Sequence, residues 1–127
     1  MIKGIGIDLV EISRIERHLE KQETRFFERI FTESEQRYSS RSKTIASQAE
    51  HFAARFAVKE AFFKALGTGW NDKLQWKDVE VINNSDGKPD IIAHGKALAL
   101  LQERKIMNIQ VSISHESVYA CAIVVLE

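Results

Sequence analysis

Apolar residues alternate with small or charged ones at the start of the chain. Ile5, Ile7 and Leu9 fall on one face of an extended segment over residues 2–10, and Gly4, Gly6 and Asp8 fall on the other. A period of two predicts a strand, and the two glycines predict that its second face lies close to another backbone. The period then lengthens: Ile12, Ile15 and Leu19 predict a helix, with Arg14, Arg17, His18, Lys21 and Arg25 gathered toward another face. Thr32 followed by Glu35 is a capping-box signature that starts a short helix at Glu33, and the polar run 39–42 ends it. Phe52, Ala53, Phe56, Phe63 and Leu66 mark a long core helix from residue 47 to about residue 66. Gly67-Thr68-Gly69 stops it as a helix C-terminus requires, and a loop continues to Lys73.

Beyond that loop the pattern returns to strands. Residues 79–82 and 89–93 are rich in Val and Ile, and the segment 83–88 between them carries Asp86-Gly87, a hairpin signal. Residues 95–105 form a second amphipathic helix. Ile109, Val111, Ile113 and His115 then alternate with Gln110, Ser112 and Ser114, and residues 119–126 are almost continuously apolar, which predicts a closing, buried hairpin. With one proline and no linker of domain-separating length, the reading is one α+β domain over residues 1–127, its antiparallel strands packed with a long central helix.

Composition narrows the function. The chain has 127 residues, 44% apolar and 28% charged, enough for a real core. Eighteen basic and eighteen acidic residues cancel, so attraction to an acidic partner must come from local clustering, and bulk nucleic-acid binding is disfavoured. The single cysteine, Cys121, excludes an intrachain disulfide framework and reads as a buried thiol in a reducing cytoplasm. The opening residues are too soon charged for a signal peptide, and no apolar run approaches a membrane span.

Three catalytic patterns are tested by the residues themselves. Gly4-Ile5-Gly6 suggests a dinucleotide fold, but Leu9 stands where the third glycine is needed. Ser112, Ser114 and Ser117 near His115 lack a nucleophile elbow and an orienting acid. The four histidines show no short ligand spacing, which makes zinc a poor fit. Asp8 and Glu60 remain as a carboxylate pair, and Mg²⁺ takes one or two such ligands and fills its other positions with water and phosphate oxygens. Lys64, four residues after Glu60, is equally explained as a surface ion-pair partner of that acid.

Taken together, Gly4-Ile5-Gly6-Ile7-Asp8-Leu9-Val10-Glu11-Ile12, the stretch from Arg55 through Lys59-Glu60-Ala61 and Lys64 to Gly69, Gly87-Lys88-Pro89 and Val111-Ser112-Ile113-Ser114-His115 resemble the holo-acyl-carrier-protein synthase family, the short bacterial 4′-phosphopantetheinyl transferases. The resemblance spans nearly the whole chain, in order. It implies the family's fold and trimeric assembly, with Mg²⁺-dependent transfer of 4′-phosphopantetheine from coenzyme A to a serine of apo acyl carrier protein. Adenosine 3′,5′-bisphosphate is released, and the reaction serves cytoplasmic fatty acid biosynthesis. It further implies that Asp8 and Glu60 hold the metal, that Asp8, Glu60 and Lys64 are the catalytic residues, and that Glu60 or a metal-bound water takes the serine proton. Arg55, Lys64, Gly67, Thr68, Gly69, Lys88, Pro89 and His115 would hold coenzyme A, Lys88 and Pro89 from a neighbouring subunit. Arg14 aligns with the family's carrier-binding arginine, and Arg17, Lys21 and Arg25 extend a basic face toward the acidic carrier. Arg41 and Lys43 fit either a phosphate contact or a solvated charge run.

Two other classes compete with this reading. A non-catalytic magnesium-nucleotide module would keep Asp8, Glu60 and Lys64 and need no basic docking face. A nucleic-acid interaction domain would need a larger basic surface than the neutral balance allows.

Overall fold

Glycine at positions 4 and 6 decides how two elements meet. A Cβ at Gly4 would fall on the carbonyl oxygen of Ala65, and one at Gly6 on that of Ala61. Strand β1 (Gly4–Glu11) therefore lies backbone to backbone against helix α4 (Ile45–Leu66), an approach that no other residue type allows. The computed structural model describes residues 1–68 and 74–127; Gly69 and the loop expected to run on to Lys73 lie outside the described residues.

Around this contact the elements follow as α1 (Ile12–Glu20), α2 (Thr24–Ile30), α3 (Glu33–Ser40), α4, a helical turn at Trp76–Asp78, β2 (Val79–Asn83), β3 (Pro89–Ala93), α5 (Gly95–Glu103), β4 (Ile109–His115) and β5 (Tyr119–Leu126). Strands β1, β5 and β4 form an antiparallel sheet in that order, with Asp8 opposite Ala122 and Leu9 opposite Cys121. Strands β2 and β3 form a separate antiparallel hairpin. The α+β expectation holds, and each predicted strand and helix is present. The long helix starts slightly earlier than its sequence pattern, where the Thr44 hydroxyl accepts the Ser47 N–H at 3.1 Å. It ends where Gly67 adopts a φ of +75°.

Helix α2 was not foreseen, and it changes one expectation. The first helix stops at Glu20, and the chain reverses through Gln22, whose φ of +52° is left-handed without a glycine. Arg25 therefore sits on α2 and does not continue the α1 face that carries Arg14 and Arg17; Lys21 is the C-cap. His18 closes the corner: its ring stacks on Phe26 at 3.8 Å, and its Nδ1 lies 2.9 Å from Glu23.

The sheet has two unlike faces. Val10, Ala120, Ala122, Val124 and Leu126 are buried beneath α4. On the outer face Ile5, Ile7 and Leu9 remain 61, 59 and 60% exposed, beside half-buried Ile123 and Val125. The closing hairpin is thus not buried as its composition suggested: β5 buries only alternate residues, β4 has no fully buried position, and Cys121 is half-buried on the open side. Among the described residues no helix is long and apolar enough to cross a membrane.

Candidate active site

Asp8 points from β1 toward α4, on the same face as the two glycines. Its carboxylate is 15% exposed and accepts a hydrogen bond from Lys64 Nζ at 3.0 Å; the same ammonium donates to the Ile7 carbonyl at 3.0 Å. Lys64 is thus spent on β1 rather than in a close ion pair with Glu60, and the simple surface pairing expected from i, i+4 spacing is not what forms. Glu60, one turn earlier on α4, is half-buried. Burial and then the charge of Asp8 push its carboxyl above the usual carboxylate range, against the opposing charges of Lys64 and Arg14. Two acids beside each other with incomplete neutralisation favour a cation. Among the described residues no group of three or more His, Cys, Asp or Glu side chains is arranged to hold a metal ion, so the acids that meet here are Asp8 and Glu60 alone. That set suits a hard, water-rich ion such as Mg²⁺ and does not suit zinc. A shallow cleft lined by Ile7, Asp8, Leu9, Lys64 and Cys121 opens beside it.

A second group of predicted residues meets elsewhere. Arg55 is only 3% exposed, and its guanidinium donates to the Asn83 side-chain oxygen and to the His51 carbonyl, the latter at 3.4 Å. Burial draws its pKa down, and neighbouring Tyr38 and Glu35 oppose the shift. Arg55, His51, Asn83, Pro89 and His115 line one cleft of about 240 Å³, with Tyr38 at its side. His115 Nδ1 stands 3.8 Å from Glu50. His51 is held below its ordinary pKa by burial and by Arg55 and His115.

These two groups do not share a wall. Arg55 and Glu60 are five residues apart, which on an α-helix is about 7.5 Å of rise and about 140° of rotation. Lys88 faces a different depression with Pro89, Asp90 and Gln110. Gly67 serves as the left-handed cap of α4, and half-buried Thr68 follows it. Arg14, Arg17 and Lys21 are exposed on or just beyond α1; of these, Arg14 is close enough to Glu60 for its charge to be felt there.

Sequence reading passed over the residue next to Glu60. Lys59 is completely buried and forms an ion pair with equally buried Glu35 at 2.8 Å. Its ammonium also donates to the carbonyls of Trp76 and Val79, while Glu35 accepts the Thr32 N–H and the Val81 N–H, each at 2.8 Å. Glu35 is thus at once the capping-box acid of α3 and the counter-charge of α4. Only its first role was visible in Thr32 and Glu35. Tyr38, His51 and Asn83 were also missed, since none belongs to a motif.

The family profile described as 4′-phosphopantetheinyl transferase superfamily matches residues 4–124. A protein named holo-[acyl-carrier-protein] synthase from Geobacter metallireducens is 50% identical over 127 residues, covering 100% of this chain and 98% of its own. Among solved structures, a holo-(acyl-carrier-protein) synthase from Bacillus anthracis in complex with CoA (3′,5′-ADP) is 40% identical, with a TM-score of 0.80 over 99% of this chain and 96% of that one. The Helicobacter pylori holo-[acyl-carrier-protein] synthase in complex with coenzyme A is 31% identical, with a TM-score of 0.82 over 97% of this chain and 99% of that one. The chain belongs to the 4′-phosphopantetheinyl transferase superfamily and, within it, to the holo-[acyl-carrier-protein] synthase enzymes.

Proposed function

We propose that the protein transfers 4′-phosphopantetheine from coenzyme A to a serine hydroxyl of an apo acyl carrier protein, in a Mg²⁺-dependent reaction that supplies cytoplasmic fatty acid synthesis. The observation that carries this reading is the meeting of Asp8, Glu60 and Lys64 at the β1–α4 contact, in a chain whose relatives include coenzyme A complexes. The carrier's serine oxygen forms a bond to the phosphorus bearing pantetheine; the bond from that phosphorus to the bridging diphosphate oxygen breaks, and adenosine 3′,5′-bisphosphate leaves. Transfer of this kind depends on positioning and on charge stabilisation more than on covalent chemistry.

Asp8 and Glu60 would hold Mg²⁺, which when bound supplies charge neutralisation at the diphosphate. Lys64, fixed by Asp8 and the Ile7 carbonyl, presents its ammonium along the phosphates and offsets charge on the leaving group. The serine proton departs on the side of Glu60. Arg55, His115 and the Gly67-Thr68 turn hold the nucleotide end of the donor, with Gly69, Lys88 and Pro89 completing that binding. Arg14, with Arg17 and Lys21 behind it and Arg25 across the α1–α2 corner, receives the acidic carrier.

Trimeric assembly joins these parts. The cleft at Arg55 and the acidic cluster sit on different sides of α4, and pairing one subunit's cleft with a neighbour's acidic cluster would bring both to one donor molecule. The open apolar face of Ile5, Ile7 and Leu9 offers surface for such packing. Incubation with coenzyme A, Mg²⁺ and apo carrier, read by mass spectrometry, should add one phosphopantetheine per carrier. No added mass would overturn the reaction, and full transfer in excess chelator would remove the metal. Sedimentation at assay concentration should give three chains per particle; an active monomer would reject the interfacial site.

A further inference from the structure

Lys64, in the last turn of α4, reaches across to β1. Its ammonium donates to Asp8 Oδ1 and to the Ile7 carbonyl, each at 3.0 Å, and this contact sits at the edge of the shallow cleft that opens beside Asp8. The lysine side chain is 54% exposed, so the ammonium is held there without being enclosed. Lys64 forms its ion pair with Asp8 and not with Glu60, whose carboxyl is kept above the ordinary range by burial and then by the charge of Asp8. The acid that would hold a metal therefore already holds a cation of the chain's own.

For a divalent ion to enter before the donor, Lys64 must either stay or leave, and both are unfavourable. If it stays, like charges share one carboxylate where water is partly excluded, and they repel more strongly than in bulk solvent. If it leaves, two hydrogen bonds break, one of them charge-assisted. A diphosphate changes both terms: its negative charge offsets the repulsion, and its oxygens give the ammonium another partner. The side chain can make that exchange, because a lysine carries a compact three-donor charge on a flexible four-carbon stem. Lys59, fully buried against Glu35, has no such freedom.

We infer that Lys64 is a placeholder for the metal on Asp8: it holds the carboxylate in the donor-free protein, opposes entry of a divalent ion, and gives up that opposition when the diphosphate of coenzyme A arrives, so that metal and donor bind cooperatively. The inference rests on the proposed reaction for its metal and donor, and the test separates the two. Binding of Mn²⁺, which shares the preference of Mg²⁺ for carboxylate and water oxygens, is followed by electron paramagnetic resonance of the free ion. It is measured without carrier, so that no transfer occurs, for the wild type, Lys64→Gln and Lys64→Arg, with and without coenzyme A. Removing a positive charge from beside a divalent ion should tighten donor-free Mn²⁺ binding by at least about tenfold in Lys64→Gln. Lys64→Arg keeps the charge and should stay close to the wild type. Coenzyme A should tighten Mn²⁺ binding in both the wild type and Lys64→Gln, by a factor at least about fivefold smaller in the variant, and linkage requires Mn²⁺ to tighten coenzyme A binding by the same factor in each protein.

Donor-free Mn²⁺ binding that is unchanged or weaker in Lys64→Gln would overturn the inference and leave Lys64 a contact of the phosphates alone. So would a coenzyme A effect of equal size in the wild type and the variant. Adding Asp8→Asn to Lys64→Gln should cancel the gain, and a gain that survives would place the ion elsewhere and overturn the assignment as well. Should Lys64→Gln fail to fold by circular dichroism, Lys64→Met, which keeps the aliphatic stem without the charge, carries the same titration. If the wild type adds no phosphopantetheine to an apo carrier, the proposed reaction falls, and the donor-free titration still decides whether Lys64 holds Asp8 against a divalent ion.

Discussion

Lys59 and Glu60 are neighbours on one helix and live in opposite circumstances. Lys59 points inward, has no exposure, and finds Glu35 and two backbone carbonyls; every charge in that cluster is matched. Glu60 points to the other side, half-open, beside Asp8, whose lysine is bonded to β1 and not to Glu60, with an arginine at the rim. The closed pair ties α4 to α3 and β2 and leaves no room for a ligand. The open cluster is electrostatically unfinished, and that is what allows it to receive something. A buried ion pair is weak evidence of net stabilisation, because desolvation offsets much of the attraction. Its value here is in holding elements together: α4 cannot slide along β2 without uncovering a charge.

Breaking the closed pair should have the largest effect. Lys59→Ala leaves the Glu35 carboxylate buried beside the Thr32 and Val81 amides with its cation gone, which corresponds to about 3–5 kcal/mol of lost stability. Urea unfolding followed by circular dichroism should show it directly. A loss below about 1 kcal/mol would mean that Glu35 is protonated or solvated in the variant, and the contrast drawn here would weaken.

Glu60→Gln should do the reverse: little harm to the fold and severe harm to turnover. The sign follows from the raised proton affinity. A carboxyl whose folded pKa lies above its ordinary value of 4.5 binds its proton more tightly in the folded protein, so its ionised form opposes folding at neutral pH. That opposition fades as pH falls through the folded value and is gone below the unfolded one. In metal-free buffer Glu60→Gln should therefore melt at or above the wild type near pH 7–8, and the two curves should meet by about pH 4. Transfer activity should fall at least about a hundredfold. A variant that melts lower at neutral pH would place Glu60 among the structural acids with Glu35.

The sequence announced one member of this contrast and hid the other, for a physical reason. Periodicity reports which positions share a face; it does not say which face is covered. Ile5, Ile7 and Leu9 alternate perfectly, yet the glycine side of β1 meets the core and the isoleucine side stays open, because only residues without a Cβ permit α4 to approach so closely. The capping box was readable because its partners are three residues apart, whereas Lys59 finds Glu35 across 24 residues and looks in sequence like any lysine beside a glutamate. The Asp8 and Lys64 contact spans 56 residues and displaced the local pairing that spacing favours. Helix α2 escaped because it has only seven residues and its turn uses Gln22 in place of a glycine. What the motifs did supply was Asp8, Glu60 and Lys64 as a set, and the fold brings them to one contact.

Arg14 sharpens the comparison at its weakest edge. It is exposed on α1, and its charge nonetheless lowers the Glu60 pKa against the larger effects of burial and Asp8, so it stands at the rim of the open cluster and not on a remote surface. Replacing it by neutral glutamine should then have two separable consequences. The first concerns the carrier: losing one exposed charge contact, worth about 0.2–1 kcal/mol, should raise the carrier KM by up to roughly fivefold and flatten its salt dependence, with the coenzyme A KM nearly unchanged. The second concerns Glu60. With the lowering influence of Arg14 removed, the carboxyl holds its proton to a higher pH, so the acid limb of the kcat profile should move upward, by less than the shift that burial itself produces. Measuring transfer across pH at saturating carrier reads the second effect free of the first. A carrier KM that rises with no movement of the acid limb would confine Arg14 to docking. An unchanged carrier KM with a displaced limb would make it part of the electrostatics of the site and leave the carrier to Arg17 and Lys21.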